Sequence, residues 1–337
     1  MTAILILALV LVTASIFVNG WTDAPNAIAT VVSTKVMPPR VAVIMASIFN
    51  FLGVVVMGTA VADAIGKLVD LSSFTPKVAL LTIAAAQLSI VVWSTAAWFF
   101  GIPTSESHAL IAGLTGAGIA VGGVGIVSMD KWIDVIKGLG ISTVIGFGGG
   151  FIVVKIVVFI FRKVQRKKAN NFFSIAQAMS GALMAFSHGA QDGQKFMGVL
   201  AITLVYAGKL SLNADGSLHI PFYLMVYCSV VMAIGTSIGG YKIIKTMGMD
   251  MVKLEKYQGF SAELSAAVIM LVSTKLGIPL STTHTKTTAI MGVGVAKRLS
   301  ALKLSIVQEM ILAWVLTFPF CGLFAYLVVK LFLYIFN

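Results

Sequence analysis

Residues 101–108 read GIPTSESH and residues 277–284 read GIPLSTTH, each in the middle of an apolar stretch. Proline lacks the amide hydrogen that a continuing helix needs, and the residue before it avoids helical backbone angles. Each stretch must therefore stop, turn and start again. Around these breaks, residues 87–120 align without gaps onto residues 263–296 at an offset of 176, with eleven of 34 positions identical. Gly101 matches Gly277, Pro103 matches Pro279, Ser105 matches Ser281 and His108 matches His284. Shared apolar composition would not keep those four residue types in register. The chain is read as two related halves, each with a hairpin whose arms enter and leave on one side.

The surroundings of the hairpins set the solvent. Of 337 residues, 58% are hydrophobic and 11% charged, and the mean hydropathy is +1.00. Ordinary soluble domains carry about 25% charged residues. Apolar stretches run from Thr2 to Val18, Val41 to Ala62, Val78 to Phe100, Leu139 to Ile160 and Ile306 to Val329, near the roughly 20 helical residues that cross a hydrocarbon core. This excludes a secreted disulfide scaffold, a nucleic-acid-binding domain and a cytosolic enzyme. The predicted fold is all-α, a polytopic helical membrane protein with broken helices and paired helical hairpins. No Lys or Arg precedes the first stretch, which reads as a retained span. Cys228 and Cys321 fall in apolar stretches, as small buried hydrophobes do. The net charge is +12, from 24 basic and 12 acidic residues. Its basic excess gathers in short loops such as Arg162, Lys163, Arg166, Lys167 and Lys168, the bias that holds a loop in the cytoplasm.

A second pair of segments lies upstream: FVNGWTDAPN from Phe17 and FSHGAQDGQK from Phe186, at an offset of 169. Gly20 coincides with Gly189 and Asp23 with Asp192, and the pair precedes the hairpin in both halves. The expected division is residues 1–161, a basic cytoplasmic linker at 162–171, and residues 172–337. Equivalent loops carry opposite charge bias. Lys35 and Arg40 follow the first motif, whereas Lys209 is balanced by Asp215 after the second. Asp63, Lys67, Asp70 and Lys77 cancel before the first hairpin, whereas Lys242, Lys245, Lys253 and Lys256 outnumber Asp250 and Glu255 before the other. That is the mark of an inverted-topology repeat. It predicts residues 35–40, 162–168, 242–256 and 297–303 inside and both termini outside.

The breaks carry the chemistry. Thr104, Ser105, Glu106 and Ser107 follow one Pro, and Leu280, Ser281, Thr282 and Thr283 the other. A helix starting there offers free amides, the positive end of its dipole and hydroxyl donors, which together suit an oxyanion. Ser and Thr also serve as plain caps, but two tips that meet would form one site. His108 and His284, three residues beyond the matched Ser, are expected to orient the tips by hydrogen bonds. Asp23 and Asp192 are carboxylates inside interrupted apolar stretches, where an unpaired charge is costly and marks function. Asn19, Thr22 and Asn26 stand beside Asp23, and Gln191 and Gln194 beside Asp192. These oxygens suit a hard cation, and no thiolate or imidazole cluster selects a transition metal. Glu263, matched by Gln87, adds a carboxylate to the second half, at a cation site or opposite Lys275. Lys195 occupies the position of Asn26, placed to neutralise Asp192 or to contact the anion.

GWTDAPNA and GAQDGQK, with GIPTSESHALIAG and GIPLSTTH, resemble the signature segments of the inorganic phosphate transporter family of cation-coupled symporters, in the right order across nearly the whole chain. The resemblance implies two inverted repeats, phosphate between the hairpin tips, cations at the Asp motifs and often a homodimer. Candidate phosphate contacts are Thr104, Ser105, Glu106, Ser107, Ser281, Thr282, Thr283, Gln191 and Lys195. Candidate sodium ligands are Asn19, Thr22, Asp23, Asn26, Gln191, Asp192 and Glu263. Thr22 and Gln191 stand where the family has Asn, Pro25 interrupts the run before Asn26, and Glu106 replaces a Ser or Thr. The expected function is sodium-coupled symport of inorganic phosphate across the plasma membrane by alternating access, without an organic cofactor. Proton coupling, or sulfate as the oxyanion, is the alternative. An intramembrane hydrolase is disfavoured because no HExxH occurs and the histidines are scattered.

Overall fold

A computed structural model describes residues 1–23, 25–238 and 240–336, without the side chains of residues 25, 26 and 299. The first half runs α1 (Thr2–Thr22), α2 (Pro25–Ser33), α3 (Pro39–Val56), α4 (Ala60–Gly66), α5 (Pro76–Phe100), α6 (Glu106–Gly122) and α7 (Met129–Phe161). The second runs α8 (Arg166–His188), α9 (Gln194–Tyr206), α10 (Phe222–Ile238), α11 (Tyr241–Lys245), α12 (Lys256–Lys275), α13 (Thr282–Lys297) and α14 (Leu304–Ile335). The order of long, broken and hairpin helices repeats element by element.

The apolar stretches become these helices, with two differences. Gly58, at φ 81°, splits the expected stretch from Val41 to Ala62 into α3 and α4, because that backbone conformation ends a right-handed helix. Residues 166–171 of the expected linker already belong to the first turns of α8. Among the described residues, five helices are long and apolar enough to cross a membrane, or six if α10 and Tyr241–Asp250, bent by 66°, count as one span.

Packing exchanges the halves. α1 lies on α5 and α10, as α8 lies on α12 and α3. α6 packs on α14 as α13 packs on α7, and α2 on α11 as α9 on α4. Each of these contacts maps onto another when first-half and second-half helices are swapped. The matched glycines explain themselves at these crossings. A Cβ on Gly20 would stand 3.0 Å from the Met232 carbonyl carbon, and one on Gly189 2.6 Å from Asn50 Cα. Apolar side chains such as Val144, Ile152 and Phe159 on α7 are exposed and face lipid, while α5, α6, α12 and α13 are largely buried around a polar centre.

Candidate functional site

The two hairpins close identically. Gly101 and Gly277 take left-handed angles of φ 73° and 67°. Ile102 N–H donates to Ala97 O at 3.0 Å and Gly101 N–H to Trp98 O at 2.9 Å, while Ile278 donates to Ser273 at 2.9 Å and Gly277 to Thr274 at 3.1 Å. Such paired bonds end a helix on a left-handed glycine. Past Pro103 and Pro279, Ser105 and Ser281 cap α6 and α13, accepting from His108 N–H at 3.4 Å and His284 N–H at 3.2 Å. The tips meet. Ser281 donates to Ser105 Oγ at 2.8 Å and Ser107 to Leu280 O at 3.4 Å, and the Thr283 hydroxyl lies 3.1 Å from Thr104 O. Ser281 thus caps α13 through one lone pair while its hydroxyl hydrogen goes to Ser105.

The interrupted helices bring their carboxylates to this junction. Asp23 ends α1, and Asp192 sits in a π-helical turn, Gly189–Gly193, between α8 and α9. The break expected around Asp192 is therefore a widened turn, a feature frequent at functional sites. Thr283 donates to Asp23 Oδ1 at 2.6 Å, and the Thr282 hydroxyl lies 3.2 Å from Asp23 Oδ2 and 2.9 Å from Asp192 Oδ2. Asn19 Nδ2 reaches Asp192 Oδ2 at 3.4 Å. Lys195 Nζ donates to Asp192 Oδ1 at 2.7 Å, to Ser107 Oγ at 2.6 Å and to the Leu280 carbonyl. Lys195 thus gives Asp192 the counter-charge expected of it while also touching both hairpin tips. Thr22 donates to Glu106, which ties the first break to the first tip.

Charge and valence decide what this centre can hold. Asp23, Glu106, Asp192 and Lys195 are each at most 1% exposed. Three carboxylates against one ammonium leave a formal −2 if all ionise. Several kcal/mol attend each uncompensated buried ion, so the cluster calls for cations or protons. Among the described residues, Asn19 Oδ1, Gln191 Oε1 and Glu106 Oε2 are buried acceptors without a hydrogen-bond donor. Asp23, His188 and Asp192 offer ligand atoms within 4.8 Å of one another. Unpartnered oxygens beside carboxylates fit a hard monovalent cation.

The remaining candidates fall as follows. Gln191 Nε2 donates to Ile278 O at 3.0 Å, tying the second break to the second tip. Gln194 accepts from Val61 N–H at 2.9 Å and braces the α3–α4 junction. The Asn26 side chain lies outside the described residues. His108 and His284 meet edge to face at 4.5 Å and rest on Phe318 and Trp314. Both His284 nitrogens lack a hydrogen-bond partner among the described residues, so rings position this part of the tips where hydrogen bonds were expected. Glu263 stands in another group, accepting from Thr30 and from Ser180 at 2.7 Å with Lys286 Nζ at 3.7 Å. Lys286 on α13 occupies the place expected of Lys275. Gln87, its counterpart, accepts from Ser15 at 2.6 Å. Sequence reasoning missed His188, whose Nε2 lies 3.4 Å from Asp192 Oδ2 and whose Nδ1 lies 3.2 Å from Asn50 Oδ1. The signal was its place four residues before Asp192 and opposite Asn19 in the repeat.

Residues 19–325 match a family described as "Phosphate transporter family". A Rhizobium meliloti protein named "Probable low-affinity inorganic phosphate transporter" is 39% identical over 91% of this chain and 90% of its own length. A Bacillus subtilis protein of the same name is 37% identical over 98% and 99%. A solved structure described as "The sodium-dependent phosphate transporter" superposes with a TM-score of 0.89 at 22% identity, covering 98% of this chain and 99% of its own.

Proposed function

Because the chain belongs to the phosphate transporter family, we propose that it is a sodium-coupled symporter of inorganic phosphate, with the anion at the meeting of the hairpin tips and sodium at the carboxylates. The observation that carries this reading is the junction of Ser105, Ser107, Ser281, Thr282 and Thr283 directly against Asp23, Asp192 and Lys195. Hydroxyls that bond one another or a carboxylate can turn their hydrogens to a tetrahedral oxyanion, joined by the first amides of α6 and α13. Lys195 reaches both the carboxylate and the tips, so it links the two ligands. Sodium would take oxygens from Asp23, Asp192, Asn19 and Gln191, the unpartnered Asn19 Oδ1 and Gln191 Oε1 being ready acceptors.

Coupling follows from charge. Phosphate at neutral pH carries one to two negative charges, and an inside-negative potential opposes each by about 2.3 kcal/mol per 100 mV. Sodium bound at the carboxylates offsets both the cluster and the anion. In this mechanism sodium orders the ends of α1 and the Gly189–Gly193 turn. Thr282 and Thr283, freed from bonding bare carboxylates, then face phosphate. The loaded hairpins move against the long helices to expose the site on the other side. The exchange of helix contacts supports two related halves inverted in the membrane, and the basic loops support both termini outside.

The test is uptake of labelled phosphate by proteoliposomes under a sodium gradient, a proton gradient or neither, with sulfate as competitor. Saturable uptake driven by sodium and indifferent to sulfate is expected. Uptake driven by protons alone would move coupling to Glu106 and the His188–Asp192 pair.

A further inference from the structure

At the join between the halves, away from the hairpin tips, lies a cavity of about 840 Å³. Val157 and Phe161 from the end of α7 and Phe173 from α8 make it apolar; Arg162, Arg166 and Lys167 make it basic, with Lys256, which also lines it, held on Ser174 at 2.6 Å. Retention of a loop in the cytoplasm requires only solvated positive charges. It does not require them to border an apolar-walled hollow. Among the described residues, no ion pair engages these three side chains. Glu255, which also borders the hollow, is committed to Lys297 at 3.0 Å.

The surface leading to the hollow identifies its occupant. Val144, Phe151 and Val158 on α7 are 71%, 36% and 48% exposed and stand at helical spacing on the side that carries Arg162, and on a membrane-spanning helix such a face meets acyl chains. That face runs along α7 into the basic rim, so a molecule seated there meets hydrocarbon along its body and cations at its head. A soluble anion would leave the apolar wall bare, and a neutral lipid would leave the three cations unpaired. The volume falls within the usual range of about 300–1,000 Å³ for small-molecule sites.

We infer that this hollow binds an anionic phospholipid, its phosphate held by Arg162, Arg166 and Lys167 and its chains lying along Val157 and Phe161. The lipid would add to the hydrogen bonds that already join these parts, Thr34 to Gln177 at 3.0 Å and Lys256 to Ser174 at 2.6 Å. Thr34, just beyond α2, and Tyr257, at the start of α12, also border the hollow, so both halves and the segment following the Asp23 break contact one ligand. Occupancy therefore favours the conformation in which these elements are assembled.

The experiment compares the wild-type chain with the triple variant R162Q/R166Q/K167Q and with K163Q/K168Q, which removes charge from the same segment without touching the hollow. Retention of dioleoyl phosphatidylglycerol is measured by native mass spectrometry and by titration into nanodiscs of phosphatidylcholine. The triple variant removes the charge-assisted hydrogen bonds to the headgroup phosphate and should bind about a hundredfold more weakly. The control should lose less per charge. Sodium-driven phosphate uptake in liposomes containing phosphatidylglycerol should exceed that in phosphatidylcholine for wild type and control, but not for the triple variant. Equal loss per charge in both variants would overturn the inference in favour of a diffuse field. Glycerol phosphate competing as well as the intact lipid would overturn it by showing that the apolar wall contributes nothing.

Discussion

Replacing Lys195 by Met keeps the length of the side chain and removes its charge, so it isolates what the ammonium does. Lys195 is fully buried and donates to Asp192 Oδ1 at 2.7 Å, Ser107 Oγ at 2.6 Å and the Leu280 carbonyl. Its loss moves the formal charge of the cluster from −2 to −3, since three carboxylates remain and no ammonium does. Removing one member of a buried pair costs about 3–5 kcal/mol, because the other is left uncompensated. Lys195→Met is therefore expected to lose about that much stability to denaturant in detergent without sodium. Asp192→Asn/Lys195→Met should recover most of it, a non-additivity read in the double-mutant cycle. Saturating sodium should restore part of the stability of the single variant, since cations bind the native cluster. Phosphate uptake should be lost in both variants, because the ammonium also holds the tips. A Lys195→Met protein within about 0.5 kcal/mol of wild type, the scale of ordinary surface changes, with uptake intact, would refute the reasoning.

Ser281→Ala and Ser105→Ala remove one hydroxyl from each tip. A hydrogen bond to a charged partner contributes about 1.5–3 kcal/mol, so each variant should raise the KM for phosphate about ten- to hundredfold, seen in initial uptake rates. Gly189→Ala places a Cβ 2.6 Å from Asn50 Cα; overpacking of this kind costs about 1–3 kcal/mol, read as a lowered Tm in detergent. Glu263→Gln copies Gln87 of the other half but strands the buried Lys286. It should destabilise by about 3–5 kcal/mol, while Glu263→Gln/Lys286→Met should recover most of that in the same unfolding assay.

The sequence showed the hairpins because Gly and Pro write backbone breaks directly, and the repeat fixed which Ser and which Asp belong together. Lys195 was legible through its match with Asn26. Contacts between halves were harder to see. His188 looked scattered because its partner across the repeat is Asn19, a different residue type, although both reach Asp192. Lys275 seemed a partner for Glu263 through proximity in sequence, yet twelve helical residues span about 18 Å. Lys286, on the neighbouring helix α13, is the residue at hand. Gly58 was lost inside an apolar stretch because hydropathy does not register backbone angles. The ring packing of His108 and His284 depends on Phe318 and Trp314, which α14 brings from far along the chain.

In the proposed mechanism, cations at Asp23 and Asp192 prepare the hairpin tips for phosphate. Equilibrium binding of labelled phosphate to the purified protein, titrated with sodium at constant ionic strength, tests it most directly. Phosphate affinity should rise with sodium, sodium affinity should rise reciprocally with phosphate, and this linkage should be lost in Asp23→Asn. Phosphate affinity unchanged from zero to saturating sodium would contradict it.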